Sequence, residues 1–171
     1  MSYLIRATEL SDISQLIEVE KSATKAFLSV PNLAWLVDAP VLSAEIHHEL
    51  ITDAHAFSVV NEQDQVVGFL YAEKQDQDFY IIEFDVRSDL QRQGIGRKLI
   101  EHAITVAITE NFKTVTLTTF INVIWNRPFY EKLGFIILES FEQPDYLKQT
   151  LENEVKFGFN AETRCAMQLK L

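Results

Sequence analysis

One run of residues in this chain, Gln91-Arg92-Gln93-Gly94-Ile95-Gly96, has the composition of an anion seat. It stands between a segment with strand character, Phe79 to Arg87, and one with helical spacing, Ile95 to Ile108. A glycine turn that opens a helix leaves several backbone N–H groups unpaired and aimed at one point, where the helix dipole also favours negative charge. Phosphate binding is the chemistry such a turn supports. Neither common phosphate loop fits: a dinucleotide loop needs a third glycine where Leu99 stands, and a P-loop needs Gly-Lys-Ser/Thr where Gly96 precedes Arg97 and Lys98. The plainer alternative is that Gly94 and Gly96 only relax a tight strand-to-helix turn.

Other groups able to do chemistry lie nearby in sequence. Alternation on the strand before the loop puts Tyr80, Ile82, Phe84 and Val86 on one face and Ile81, Glu83 and Asp85 on the other, unless a bulge changes the register. The two carboxylates are candidates for accepting a proton or for plain solvation. His47, His48 and His55 raise the question of a metal, but neighbours on a helix point about 100° apart and share an ion poorly, so no metal is expected. The single cysteine, Cys165, lies in an alternating run and reads as a buried core thiol.

Periodicity gives the elements that must hold these groups. Tyr3 to Arg6 reads as a short strand. Thr8 and Ser11 suit the cap of a helix striped by Ile13, Leu16, Ile17 and Val19 and ending near Ala26. Phe27 to Pro40 is irregular, and Val41 to Ile51 returns to helical spacing. Ala56 to Asn61 and Val66 to Glu73 alternate around a polar turn as a hairpin. After the loop, Ile95, Leu99, Ile100, Ala103, Ile104, Ala107 and Ile108 form one stripe. Lys113 to Phe120 reads as a strand, and Asn126 and Pro128 suit the cap and first turn of a short helix ending at Gly134. Phe135 to Phe141 and Thr163 to Leu169 read as the last strands, with Pro144 to Val155 helical between them. The order predicts one α/β (α+β) domain over residues 1–171, with an antiparallel front half joined to a parallel crossover at the glycine loop.

Charge narrows the partners. The net charge is −10, and residues 1–90 hold 16 Asp/Glu against 5 Lys/Arg, whereas residues 91–120 hold 2 against 4. The glycine loop thus lies in a locally basic stretch of an acidic chain. The acidic surface argues against nucleic acid, which needs a cationic footprint; it is compatible with a cationic substrate and equally with charge that simply keeps the protein soluble. Apolar runs are short and broken, so no membrane segment is expected and the protein reads as soluble and cytoplasmic.

A second segment, Phe129-Tyr130-Glu131-Lys132-Leu133-Gly134-Phe135, follows the next strand roughly 35 residues after the loop. Together with Gln91-x-x-Gly94-x-Gly96, it resembles the GNAT superfamily of acyl-CoA-dependent N-acetyltransferases, and the resemblance extends in element order over the whole chain. It implies a mixed, mostly antiparallel sheet of six or seven strands with helices on both faces and a splay between strands 4 and 5. Acetyl-CoA is the implied co-substrate. Its pyrophosphate would sit on the amides of Gln93, Gly94, Gly96 and Arg97, and its pantetheine arm would pair with the backbone of Phe84, Asp85 and Val86. Gln91, Arg92 and Lys98 line the same loop, the latter two offering charge to the outer phosphates or facing solvent.

In this family the amine attacks the thioester directly. Tyr130 matches the family's tyrosine, whose phenol protonates the departing thiolate. An alkylamine of pKa about 10 must lose a proton first, and Glu83, then Asp85, are the candidate bases, Glu83 at a position often acidic in the family. Many family members carry an asparagine seven residues before the tyrosine; here that position is Val123, and Asn126 is assigned to the helix cap with a doubtful coenzyme contact. The acceptor groove falls to the irregular segment, with Phe27, Trp35 and Asp38, opposite residues 141–159. Aromatic walls and carboxylates suit a small cationic amine such as a diamine or polyamine. Aminoglycoside or peptide amino groups stay open as alternatives, as do a non-catalytic acyl-CoA-binding module and a homodimer.

Overall fold

The computed structural model describes residues 2–171. Its seven strands form one sheet in the order β1-β2-β3-β4-β5-β7-β6, antiparallel except for the β4–β5 pair, with helices on both faces. The strands are β1 (Leu4–Ala7), β2 (His55–Val60), β3 (Val66–Gln75), β4 (Asp78–Val86), β5 (Thr114–Phe120), β6 (Ile136–Ile137) and β7 (Arg164–Lys170). The helices are α1 (Ile13–Thr24), α2 (Ala44–Asp53), α3 (Ile95–Thr109), α4 (Arg127–Glu131) and α5 (Asp145–Phe157). Among the described residues no helix is long and apolar enough to cross a membrane.

The residues group into two compact units, one of residues 2–73 with Ile81–Val106, the other of Lys74–Tyr80 with Ala107–Leu171. In the first, Leu16 and Val19 from α1 pack on Val60, Val66, Phe69 and Tyr71, with Leu42, Leu50 and Ile51 closing the cluster from the α2 side. Each such side chain contributes about 1.5–3 kcal/mol by leaving water. Ser43 caps α2 by accepting the Ile46 N–H. The expected irregular segment contains two short 3-10 helices, Lys25–Ser29 and Ala34–Val37, of which only Leu36 is buried.

In the second unit, β5 pairs with β7 along its whole length, and α5 is fastened by polar contacts. The Tyr146 hydroxyl donates to Asp78 (2.8 Å) and accepts from Thr116 (2.7 Å). Arg164 forks onto Glu154 with two 2.8 Å bonds while lying over the rings of Phe120 and Phe159. Parallel pairing of β4 with β5 runs from Asp78↔Thr114 to Tyr80↔Thr116 and ends there.

Two local expectations change. The strand expected over Phe135 to Phe141 pairs only at Ile136 and Ile137, because the chain turns at Glu139. Glu142 N–H donates to the Glu139 carbonyl, the Glu142 carboxylate accepts the Glu139 N–H, and Phe141 is left 86% exposed. Strict alternation on β4 also fails: Ile82 packs with the Leu16–Phe69–Tyr71 cluster, whereas Phe84 lies against Gly96 at the start of α3.

Candidate active site

The glycine loop opens α3 with a tight turn. The first backbone bond of α3 runs from Lys98 N–H to the Gly94 carbonyl at 3.1 Å, so Gly94 stands at the N-cap and the amides of Ile95, Gly96 and Arg97 have no helical acceptor. Gly94 has φ +84, and nothing lies within 4 Å of where its Cβ would be, so the face it presents is open. At Gly96 an added Cβ would meet Phe84 Cζ at 2.9 Å; the close approach of α3 to β4 demands glycine there. The two glycines therefore have different reasons, turn geometry and contact.

Most side chains of the loop hold the loop itself. Gln91 donates to the Val86 carbonyl at 3.0 Å and Gln93 to the Asp89 carbonyl at 3.4 Å. Arg97 pairs with Glu101 one turn along α3 at 2.7 Å. Arg92, in the left-handed region at φ +61, and Lys98 are exposed. The turn before the loop is tied to α1: Ser88 N–H donates to Ser22 Oγ, and the two hydroxyls share a second bond, each 3.1 Å. On β4, the Phe84 N–H donates to the Glu83 carboxylate at 3.3 Å.

Glu83 and Asp85 belong to a larger acidic group in the first unit. Burial, then the like charges of Glu83 and Glu20, pushes the Asp85 carboxyl well above the usual carboxylate range. Glu20, on α1, is pushed up to about 7, by burial first and then by Glu83, against the opposing pull of the Leu42 N–H. Both Glu20 oxygens accept that N–H at 3.1 Å, fixing the carboxylate between α1 and the start of α2. Behind it stands His47, fully buried and kept neutral by desolvation; its Nε2 is 3.7 Å from Glu20 Oε2, and its Nδ1 is 2.8 Å from the Tyr71 hydroxyl. His48, its neighbour, is exposed. Among the described residues no group of three His, Cys, Asp or Glu side chains is placed to hold a metal ion.

Tyr130 lies in the second unit, at the end of α4. It is 7% exposed and meets Phe129 and Phe135 edge-on, with ring centroids 5.2 and 5.6 Å away. The helix closes with Gly134 at φ +95, where Gly134 N–H bonds the Glu131 carbonyl and Phe135 N–H the Tyr130 carbonyl, so the Tyr-x-x-x-Gly-Phe spacing is a helix stop. Asn126 sits at the N-cap, but its side chain does not cap, which corrects the expectation. Its backbone carbonyl accepts the Phe129 and Tyr130 N–H groups, while its Nδ2 donates to Thr119 at 2.9 Å, and its buried Oδ1 has no hydrogen-bond partner among the described residues. Cys165 is buried, and desolvation pushes its thiol up to about 11, consistent with a core thiol.

Of the expected acceptor residues, Phe27 is half-buried in the first 3-10 helix, Trp35 is 39% exposed in the second, and Asp38 is exposed just beyond it. Sequence reasoning missed Glu20, His47 and Tyr71 as a group. A signal existed for Glu20: it falls on the stripe of Leu16, Val19 and Ala23, the buried face of α1, where a carboxylate is out of place.

The sequence profile of the acetyltransferase (GNAT) family matches residues 19–135. Peptidyl-lysine N-acetyltransferase YjaB of Escherichia coli strain K12 is 35% identical over 113 residues, covering 61% of this chain and 69% of that protein. Its counterpart of the same name in Salmonella typhimurium is 33% identical over 103 residues, covering 59% and 63%. The chain thus spans about two thirds of the length of these relatives. The fold is similar to that of PaiA N-acetyltransferase from Thermoplasma acidophilum in complex with coenzyme A, with a TM-score of 0.73 at 17% identity over both full chains. It is also similar to the ribosomal-protein-S18-alanine N-acetyltransferase from Escherichia coli, with a TM-score of 0.70 at 18% identity over 99% and 94% of the two chains.

Proposed function

The chain belongs to the acetyltransferase (GNAT) family of acyl-CoA-dependent N-acetyltransferases, and on that premise we propose that it moves the acetyl group of acetyl-CoA to the primary amine of a cationic alkylamine. The observation that carries the donor side is the N-terminus of α3, where three unpaired amides and the open face of Gly94 fit a pyrophosphate. The pantetheine arm pairs with the backbone around Phe84 and Asp85, past the point where the ladder with β5 ends. The Val86 carbonyl is already held by Gln91.

In the proposed reaction, the ammonium surrenders a proton to Glu83, and the lone pair of the resulting amine attacks the thioester carbon. The tetrahedral adduct then loses its second nitrogen proton to water and expels the coenzyme A thiolate, and Tyr130, the residue matching the family's tyrosine, donates its phenolic proton to the sulfur and recovers one from solvent. The products are an acetamide and free coenzyme A.

The acidic group of Glu20, Glu83 and Asp85 favours an acceptor that arrives as an ammonium ion, and a small diamine or polyamine presents one. A second acceptor, a lysine side chain on a peptide, is favoured by the similarity to the peptidyl-lysine N-acetyltransferases. Both carry the same primary alkylammonium. Release of free coenzyme A thiol from acetyl-CoA, measured across diamines, polyamines, aminoglycosides and lysine peptides, tests the reading. Turnover is expected with at least one primary alkylamine; acetyl-CoA binding without thiol release from any acceptor would replace the enzyme by a binding module.

A further inference from the structure

The buried group behind β4 contains a polar atom that the donor chemistry does not use. Among the described residues, His47 Nε2 is buried without a hydrogen-bond partner, although its ring is fixed from the other side by Tyr71. Among the described residues the Tyr71 hydroxyl has His47 Nδ1 as its partner, and both side chains are fully buried. A buried O–H is satisfied when it donates, so Tyr71 donates to Nδ1 and the ring proton sits on Nε2. That N–H faces Glu20 Oε2 across 3.7 Å, too long for a hydrogen bond and short enough to orient the carboxylate.

Glu20 itself is unusual. Its two oxygens share a single backbone donor, Leu42 N–H, and among the described residues neither it nor Asp85 pairs with a lysine or arginine. Yet Glu83 and Glu20 act on each other and on Asp85 through their charges, so three carboxylates share one small region. The Glu20 side chain retains 12% of its exposure and Glu83 is half-buried, so these two reach solvent while the Asp85 carboxyl lies deeper. A cation with several N–H donors is the chemical complement of such carboxylates.

We propose that Glu20, oriented by His47 and Tyr71, is a substrate-binding residue that receives the acceptor's primary alkylammonium beside Glu83. The inference rests on the reading of the chain as an amine acetyltransferase and deepens it. Glu20 and Glu83 would each accept one N–H of the ammonium, leaving Glu83 to take the proton that departs before attack. An arriving cation also removes the mutual repulsion of the carboxylates, favouring their charged forms when substrate is bound. His47 and Tyr71 act through Glu20 and are positioning residues.

The test is calorimetric titration of n-butylammonium chloride, a bare lysine side chain, into the protein saturated with coenzyme A, with n-butanol as the uncharged control. Wild type is expected to bind butylammonium with a Kd on the order of millimolar and to ignore butanol. Glu20→Gln keeps an oxygen for Leu42 N–H but loses the charge. It should bind butylammonium about tenfold more weakly or worse, with coenzyme A affinity within about twofold of wild type. Equal butylammonium affinity in the two proteins, or no binding by wild type, overturns the seat. If Glu20→Gln also loses coenzyme A, Glu20→Asp decides, because it keeps the charge: butylammonium affinity within severalfold of wild type is expected, and its loss with coenzyme A retained refutes the assignment. Thiol release is scored separately. Glu20-dependent butylammonium binding with no acetylation of any amine would sink the enzymatic reading and leave the seat standing.

Discussion

Replacing Glu20 by glutamine should make the protein more stable, and only at neutral to alkaline pH. The Glu20 carboxyl is raised from 4.5 to about 7, chiefly by burial and then by Glu83. A group with a raised folded pKa binds its proton more tightly folded than unfolded, so between those two values the folded state holds more protons and stability falls as pH rises. The contribution is fully present below about 4.5 and lost above about 7. Two and a half pH units at ~1.4 kcal/mol each amount to about 3 kcal/mol of destabilisation by the ionised carboxylate at pH 8. Urea unfolding of wild type and Glu20→Gln at pH 5, 6, 7 and 8 measures it. The variant should exceed wild type by about 1 kcal/mol or less at pH 5 and by about 3 kcal/mol at pH 8. Asp85, raised by burial and by the charges of Glu83 and Glu20, tilts both curves, so the difference between the proteins is the quantity to read. A constant offset from pH 5 to 8, or a variant less stable at pH 8, would refute the account of Glu20 as a buried, uncompensated carboxylate. A stabilised variant that binds butylammonium poorly would mark Glu20 as a residue kept for function against stability.

Three further outcomes are expected. Gly96→Val places a Cβ 2.9 Å from Phe84 Cζ and its methyls closer still, which should cost about 1–3 kcal/mol of stability and weaken acetyl-CoA binding by tenfold or more; wild-type affinity by calorimetry would remove the loop from the coenzyme site. Tyr130→Phe, which keeps the ring contacts with Phe129 and Phe135, should lower kcat by about 10²-fold or more with acetyl-CoA affinity nearly intact, and an unchanged kcat would deny Tyr130 the acid role. Arg164→Ala strands the half-desolvated Glu154 carboxylate and removes the cover over Phe120, so urea unfolding should show a loss of about 3–5 kcal/mol; less than about 1 kcal/mol would show that the pair is screened by solvent.

Much of the fold was legible because its signals are local. The stripe from Ile95 to Ile108 gives α3, and the alternation of Val66 to Glu73 gives the longest strand, since both periods are set by the backbone alone. The strand expected to reach Phe141 was not legible. Its end depends on the side chains of Glu142 and Gln143 closing a turn onto the backbone of Glu139 and Leu138, and apolar Ile136 to Leu138 followed by Phe141 reads as continuation. Asn126 shows the same limit at one residue: Asn before Pro signals a cap, but Thr119, seven residues away, takes its amide instead.

The sequence by itself determined the elements of the proposed donor half. A helix N-terminus with glycines is a contiguous device, so Gln91 to Gly96 presents the proposed phosphate seat in six residues, and Tyr130 with Gly134 and Phe135 is likewise bound within one short helix and its stop. Tertiary structure alone decided two things. It gave Gly96 its reason, the ring of Phe84 across from it, and it gathered Glu20, His47, Tyr71, Glu83 and Asp85, which come from two helices and two strands, into one acidic group. Proximity of that kind arises from packing α1 and α2 on the sheet, and it shifts a carboxylate through burial and neighbouring charge, neither of which has a period that can be read along a chain.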